Sequence, residues 1–126
     1  MNQETVLVIL PLPPACLSPN CPPGSFGGRM RRAVASKQYR KKAYDVVSEM
    51  NIESGPWAKA TVSAMFYHKQ KRRRDDVNHM AMMKSAYDGV VDAGLLADDS
   101  SSHLKTLGAE FKIANDSRVE LLFTRI

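Results

Sequence analysis

Hydrophobic and polar positions recur with different periods along the first half of the chain. Residues 5 to 10, TVLVIL, form an aliphatic run that ends at Pro11, which predicts a buried strand. Prolines and glycines are frequent from Pro11 to Gly28 and predict that this stretch has no regular structure. From about Ser36 the apolar positions recur at helical spacing. This spacing predicts a basic amphipathic helix that ends near Asn51, with an apolar stripe of Tyr39, Ala43, Val46, Val47 and Met50.

The second half begins with a change of period from 3.6 to 2. Ala60, Val62, Ala64 and Phe66 alternate with more polar residues, which predicts a strand with one face on a core. A second helix follows and stops at Gly94, with a stripe of Met80, Met83, Tyr87, Val90 and Val91. The remainder predicts a β-hairpin, roughly Leu104 to Ile113 and Arg118 to Thr124, joined by a turn at Asn115, Asp116 and Ser117.

This order of elements predicts an α+β fold, in which two main helices pack on a mixed β-sheet. The chain has 126 residues, 44% of them hydrophobic, which suits one small domain with one core. The apolar run near the amino terminus is too short to span a membrane, and no basic segment precedes it. We therefore expect a cytoplasmic protein with no membrane partner. No pattern in the chain indicates a small-molecule cofactor.

Positive charge is concentrated in two blocks. The chain has 18 Lys and Arg against 13 Asp and Glu, a formal net charge of +5, which favours a polyanionic partner. A solvated surface explains such a charge equally well. If the partner is a nucleic acid, the residues that would bind backbone phosphates are Lys37, Arg40 and Lys41 in the first block and Lys69, Lys71, Arg72, Arg73 and Arg74 in the second.

Two pairs of acids flank the second predicted helix. Asp75 and Asp76 directly follow three arginines, and Asp98 and Asp99 follow the helix. Mg²⁺ takes one or two carboxylates together with waters and phosphate oxygens, so clustered acids beside cations suit a nuclease. One helix of ~17–20 residues would hold the two pairs about 25–30 Å apart. A shared metal site therefore requires a shorter helix and a following loop that folds back. Otherwise the first pair caps a helix and the second forms a polar turn.

The stretch from Arg72 to Ser100 resembles the RusA family of crossover junction endodeoxyribonucleases. The family pattern is a basic run, DxDN, a helix with a lysine, DGLVDAG and a final DD. The matching text here is RRRDDVN, Lys84, DGVVDAG at 88 to 94, and Asp98 with Asp99. LPLPP, LSPN and KQYRKKA in the first half are similar to phage-type members. The resemblance implies a RusA-like, homodimeric nuclease that binds Mg²⁺ and makes paired cuts in Holliday junctions during DNA recombination and repair.

The resemblance also implies roles for individual residues. Asp75 and Asp99 would coordinate Mg²⁺, with Asp76 and Asp98 as further metal ligands. Lys84 would be a catalytic residue or contact the scissile phosphate; the alternative is an ion pair with Asp88, four residues on. The second aspartate of DxDN is replaced by Val77. Either Asp76 substitutes for it or the site has one ligand fewer.

Two alternatives to the nuclease stay open. The chain could bind branched DNA without cutting it, or it could be a basic module that binds RNA or another protein. Trp57 and Phe26 could stack on unpaired bases, although Trp57 beside Pro56 also suits simple packing. His68, His79 and His103 match no metal-ligand spacing, and we expect structural or surface roles for them.

Overall fold

Four strands form one mixed sheet in the computed structural model, which describes residues 3–19, 24, 26–71, 74 and 76–126. The side chains of residues 26, 76 and 77 are not described. The strands are β1 (Thr5–Leu10), β2 (Ala60–His68), β3 (Leu104–Ile113) and β4 (Arg118–Arg125), in the order β1-β4-β2-β3. β4 is antiparallel to both of its neighbours, and β3 is parallel to β2. The predicted α+β class with a mixed sheet is confirmed.

The predicted β-hairpin is wrong, although the bounds of its two strands are nearly right. β2 lies between β3 and β4, so these consecutive strands do not pair. The four residues 114–117 cross the width of β2, a distance of about 10 Å that four residues readily span. Every second residue of β4 is fully buried, at Val119, Leu121 and Phe123, which suits a central strand. Alternation reveals the buried face of a strand, but it does not reveal the neighbouring strand.

Helix α1 (Phe26–Glu49) begins about ten residues before the predicted start. A short 3₁₀ helix, Ala15–Leu17, also lies inside the stretch predicted to be irregular, so that prediction is wrong at both places. Glycines near the start of α1 lower helix propensity by about 1 kcal/mol each, which a long helix can bear. Arg32 donates to the carbonyl oxygens of Cys16 and Ser18, at 2.9 and 2.8 Å, and thereby ties the preceding loop to α1.

The second predicted helix is divided into α2 (Asp76–Ala81) and α3 (Lys84–Asp92). A turn at Met82 and Met83 separates them, α2 packs on β3, and α3 packs on α1. Gly94 follows α3 with φ of 88°, the left-handed conformation expected of a helix stop. No helix within the described ranges is both long enough and apolar enough to cross a membrane.

The core lies between one face of the sheet and the helices α1 and α3. The predicted stripes supply it through Tyr39, Ala43 and Val47 of α1 and Tyr87 and Val90 of α3. The opposite face, which we call the open sheet face, carries apolar side chains that remain 40–58% exposed: Leu7, Ile9, Leu107 and Leu122. The sheet is thus covered by described helices on one side only.

Candidate active site

Lys84, the first residue of α3, contacts one acid of its own helix and one acid from the loop that follows the helix. Its Nζ donates to Oδ1 of Asp88 at 2.9 Å, one helical turn further along α3. It also donates to Oδ2 of Asp99, which comes from the loop after the helix. The ion pair with Asp88 that the spacing allows is therefore present. The contact with Asp99 shows that the loop folds back along α3.

The backbone around Trp57 holds this returning loop in place. The amide of Trp57 donates to the carbonyl of Leu95 at 2.7 Å, and the amide of Ala97 donates to the carbonyl of Trp57 at 2.9 Å. Trp57 itself is fully buried, and its indole N–H donates to Ser54 Oγ at 2.9 Å. Trp57 is therefore a packing residue, and the alternative that it stacks on bases is wrong. Phe26, the other stacking candidate, has a side chain outside the described part of the structure.

The carboxylate of Asp99 is desolvated and ionised. Its side chain is only 14% exposed. Burial by itself would raise the pKa of Asp99, but the hydrogen bond and the charge of Lys84 lower that pKa overall. The hydrogen bonds to Asp99 and Asp88 raise the pKa of Lys84. Asp98 accepts the backbone N–H of Asp99 at 2.8 Å, which orients the acid pair. Lys84 and Asp99 are thus both charged at neutral pH.

Arg40 holds α1 against the same helix. Its guanidinium donates twice to Asp92, at 2.6 and 2.8 Å, and lies 4.0 Å from Asp88. The hydrogen bonds from Arg40 lower the pKa of Asp92. The contact depends on Gly89, where an added Cβ would lie 2.1 Å from the carbonyl oxygen of Arg40. Sequence reasoning assigned Arg40 to phosphate binding, whereas the fold places it against the acids of α3.

The described carboxylates match the oxygen ligands that Mg²⁺ prefers. Asp88 and Asp99 converge on one nitrogen, so both lie close enough to face a single small cation. Asp88 was not among the predicted metal ligands. Asp75 lies outside the described residues, and so does the side chain of Asp76. Among the residues that the structure describes, no group of three or more His, Cys, Asp or Glu side chains is arranged to hold a metal ion.

The predicted phosphate-binding cations differ in their surroundings. Lys37 is exposed on α1, whereas Lys41 pairs with Asp45 at 3.0 Å. Lys69 and Lys71 are exposed just beyond the end of β2, and Arg74 donates to the carbonyl of Gln70 at 3.1 Å. Arg72 and Arg73 lie outside the described residues. The cations near β2 lie between that strand and α2, on the chain segment that leads to the site.

No model of a known protein family matches the sequence, and no curated protein matches it either. The site described above therefore rests on its own geometry and on the resemblance of its residue pattern.

Proposed function

We propose that this protein is a Mg²⁺-dependent, structure-specific DNA endonuclease of the RusA kind, which cuts branched DNA such as Holliday junctions. The observation that carries the proposal is the return of Asp99 to Lys84. The lysine at the start of α3 and Asp99 beyond its end meet in space, although 14 residues lie between them in sequence. A nuclease site requires such an approach of these residues, and the approach depends on the loop after α3 folding back.

The residues divide into metal ligands and a phosphate contact. Asp99 and Asp75 are proposed to hold Mg²⁺, with Asp76, Asp98 and the nearby Asp88 as further carboxylates. Bound Mg²⁺ would neutralise phosphate charge and lower the pKa of water. Lys84 is 65% exposed, so its ammonium can contact a scissile phosphate without leaving the site. Without DNA, the same ammonium bridges Asp88 and Asp99 and offsets part of their negative charge.

DNA binding is proposed to depend on backbone phosphates. The contributing cations would be Lys37, Lys41, Lys69, Lys71, Arg72, Arg73 and Arg74. Arg40, proposed from the sequence, would contribute less because it is paired with Asp92. Phosphate contacts provide affinity without sequence recognition, so binding should weaken steeply with salt. Preference for a branch would then come from the shape of the DNA. Binding to cellular DNA suits a protein in the cytoplasm, and we propose that location for this protein.

Paired cuts across a junction require two sites, and we infer that a second copy of this chain docks on the open sheet face. A twofold interface uses the same patch on both copies, and this face presents exposed leucine and isoleucine side chains from three of the four strands. Exposed apolar surface of this kind marks interaction sites in soluble proteins. Two active sites would then lie at a fixed separation.

Cleavage assays with a carboxylate variant test the proposal. Labelled four-way junction, duplex and single strand are each incubated with the purified protein in Mg²⁺ or in EDTA. We expect paired nicks in the junction only with Mg²⁺, and at least a ~100-fold loss of cleavage in Asp99→Asn and Asp75→Asn, because a metal ligand supplies several kcal/mol. The matched control is Asp45→Asn, which removes an acid from an exposed ion pair on α1. Undiminished cleavage in Asp99→Asn would exclude the assigned role.

A second candidate function is binding of branched DNA without cleavage. Val77 stands where the family pattern has an acid, and the ammonium of Lys84 already donates to both Asp88 and Asp99. The same assay separates the candidates, since tight junction binding without nicks in Mg²⁺ supports the second and excludes the first.

A further inference from the structure

A cluster of aromatic rings lies at the end of β2 where the chain leaves the sheet. Phe66 and His68 follow each other on the helix-covered face of β2, and Phe111 lies beside Phe66 on β3. The planes of these three rings lie within 13–30° of one another. His79 of α2 meets all three rings edge-on, with centroids 4.9–5.7 Å apart. His68 and His79 thus have a structural role, as we expected. One side of the ring cluster nevertheless remains open.

Beside His68 and Phe111 the cluster opens into a depression of about 530 Å³, which we call the basic–aromatic pocket. This volume falls within the ~300–1,000 Å³ typical of small-molecule sites. Its lining combines two ring side chains, one aliphatic side chain and four long polar side chains. The lining residues are His68, Gln70, Lys71, Arg74, Phe111, Lys112 and Ile113. Ile113 is 61% exposed, so apolar surface faces solvent here.

The charge of the pocket selects an anionic ligand. Three of its lining residues, Lys71, Arg74 and Lys112, carry positive charge, and none of the described lining residues is acidic. Burial, followed by the positive charge of Arg74, lowers the pKa of His68, so its ring is neutral at neutral pH. The Nε2 atom of His68 is buried without a hydrogen-bond partner among the described residues, and such an atom is costly. A ligand with a flat ring and flanking negative charges fits the positive charge of this lining and its ring side chains.

We propose that the basic–aromatic pocket takes one unpaired base of a DNA strand, stacked against Phe111 and His68, while Lys71 and Lys112 bind the phosphates on either side. Every base presents a π face, so such stacking tolerates any sequence, and cations beside the rings guide the backbone. The pocket adjoins the segment that leads from β2 to α2 and the candidate active site. The proposal deepens the proposed function, because it names the DNA feature that would mark a branch point.

Binding to DNA with and without an unpaired base tests the pocket. Fluorescence anisotropy in EDTA compares the full chain on three duplexes: fully paired, with one bulged thymidine, and with an abasic residue at the bulge. We expect the bulged thymidine to be bound at least about fivefold more tightly than the abasic bulge, as stacking on one base implies. Phe111→Leu should abolish this preference. Lys112→Gln should weaken binding to all three duplexes equally.

Two further variants keep the result interpretable. Tyr67→Leu removes an aromatic ring from the opposite face of β2 and should leave the preference intact. Ile113→Asp adds negative charge at a largely exposed position, so it should abolish the preference without unfolding the protein, even if Phe111→Leu proves unstable. The proposal is wrong if the unaltered protein binds both bulges equally, or if folded Phe111→Leu and Ile113→Asp keep the preference.

A photocrosslink locates the base directly. With 5-iodo-2′-deoxyuridine at the bulge, irradiation and mass spectrometry should identify adducts on Phe111 or His68, and adducts confined to α1 would overturn the assignment.

Free thymidine monophosphate as competitor separates a strand-binding site from a nucleotide site. Effective competition at micromolar concentration would contradict the proposal that the pocket binds a DNA strand. Failure of the nuclease would appear as absent cleavage with the base preference intact. Failure of the pocket would appear as cleavage that is present while the preference for the bulged base is absent.

Discussion

At the residue scale, Lys84 controls the charge of a poorly solvated acid. Asp99 is the less exposed of its two partners, at 14% against 27% for Asp88. Burial opposes ionisation of Asp99, and the ammonium of Lys84 reverses that effect. Without Lys84, burial would dominate and the pKa of Asp99 would rise above its ordinary value.

Lys84→Met should therefore make stability depend differently on pH. In the unaltered protein the pKa of Asp99 is lowered, so its stabilising contribution is present above the ordinary value of 3.8 and is lost as pH falls through the lowered pKa. In the variant, a raised pKa penalises folding at neutral pH, and the penalty disappears as pH falls. The difference in free energy of unfolding should be about 1 kcal/mol at pH 7 and should shrink towards pH 4. Urea denaturation across this range measures it.

Lys41→Met is the matched control, because Lys41 pairs with Asp45 at an exposed position of α1. Its effect on stability should be small at every pH. If the difference in free energy of unfolding for Lys84→Met stays constant from pH 7 to pH 4, the ionisation of Asp99 does not depend on Lys84.

At the element scale, the crossing of α1 and α3 decides where the acids of α3 lie. The helices approach so closely at Gly89 that an added Cβ would meet the carbonyl oxygen of Arg40 at 2.1 Å and the Cβ of Ala43 at 2.9 Å. Both are rigid parts of the opposing helix. Asp88 precedes this glycine and Asp92 lies one turn beyond it, so the close contact brings both acids within reach of Arg40.

Gly89→Ala should push α3 away from α1. Alanine improves helix propensity by about 1 kcal/mol, but overpacking in a tight contact costs roughly 1–3 kcal/mol, and a backbone neighbour leaves little room to adjust. We expect a net loss of stability and a weaker Arg40–Asp92 contact, measured by thermal unfolding and by NMR of the Arg40 side chain. Gly24→Ala is the control, since an added Cβ there has nothing within 4 Å and should not lower stability. A variant as stable as the unaltered protein would refute the close packing.

At the scale of the whole molecule, the sheet is covered unequally. Its helix-covered face contributes fully buried residues, whereas the open sheet face leaves Leu7, Ile9 and Leu122 40–48% exposed. A concave region of about 490 Å³ lies on this open face and includes Leu7, Met65 and Leu122. Burial against a second copy would remove this apolar surface from water at about 25 cal/mol per Å².

Leu122→Asp should convert the proposed dimer into a monomer, because it places a charge at the centre of the open sheet face. Sedimentation velocity across a range of concentrations measures the change. Val34→Asp is the control, since Val34 is similarly exposed, at 49%, but lies on α1. A dimer that survives Leu122→Asp, or a monomer before any substitution, would exclude this interface.

The pattern of the sequence predicted features that depend on neighbouring residues. The buried face of β2, the stripes of α1 and α3, the stop at Gly94 and the strand bounds all follow from local periods and backbone preferences. The sequence pattern did not predict that Phe111 lines a binding pocket, because the residues around Phe111 come from β2 and α2. The rings around it are drawn from residues 66 to 111 and become a pocket only when those elements meet.

The sequence by itself determined which positions are apolar, which are charged and where most elements end, since these depend on a few consecutive residues. Only the tertiary structure decided that β3 lies beside β2, that the helix breaks before Lys84, and that Asp99 returns to that lysine. Those outcomes depend on which surfaces bury each other across long stretches of chain, and no local period encodes a partner in space.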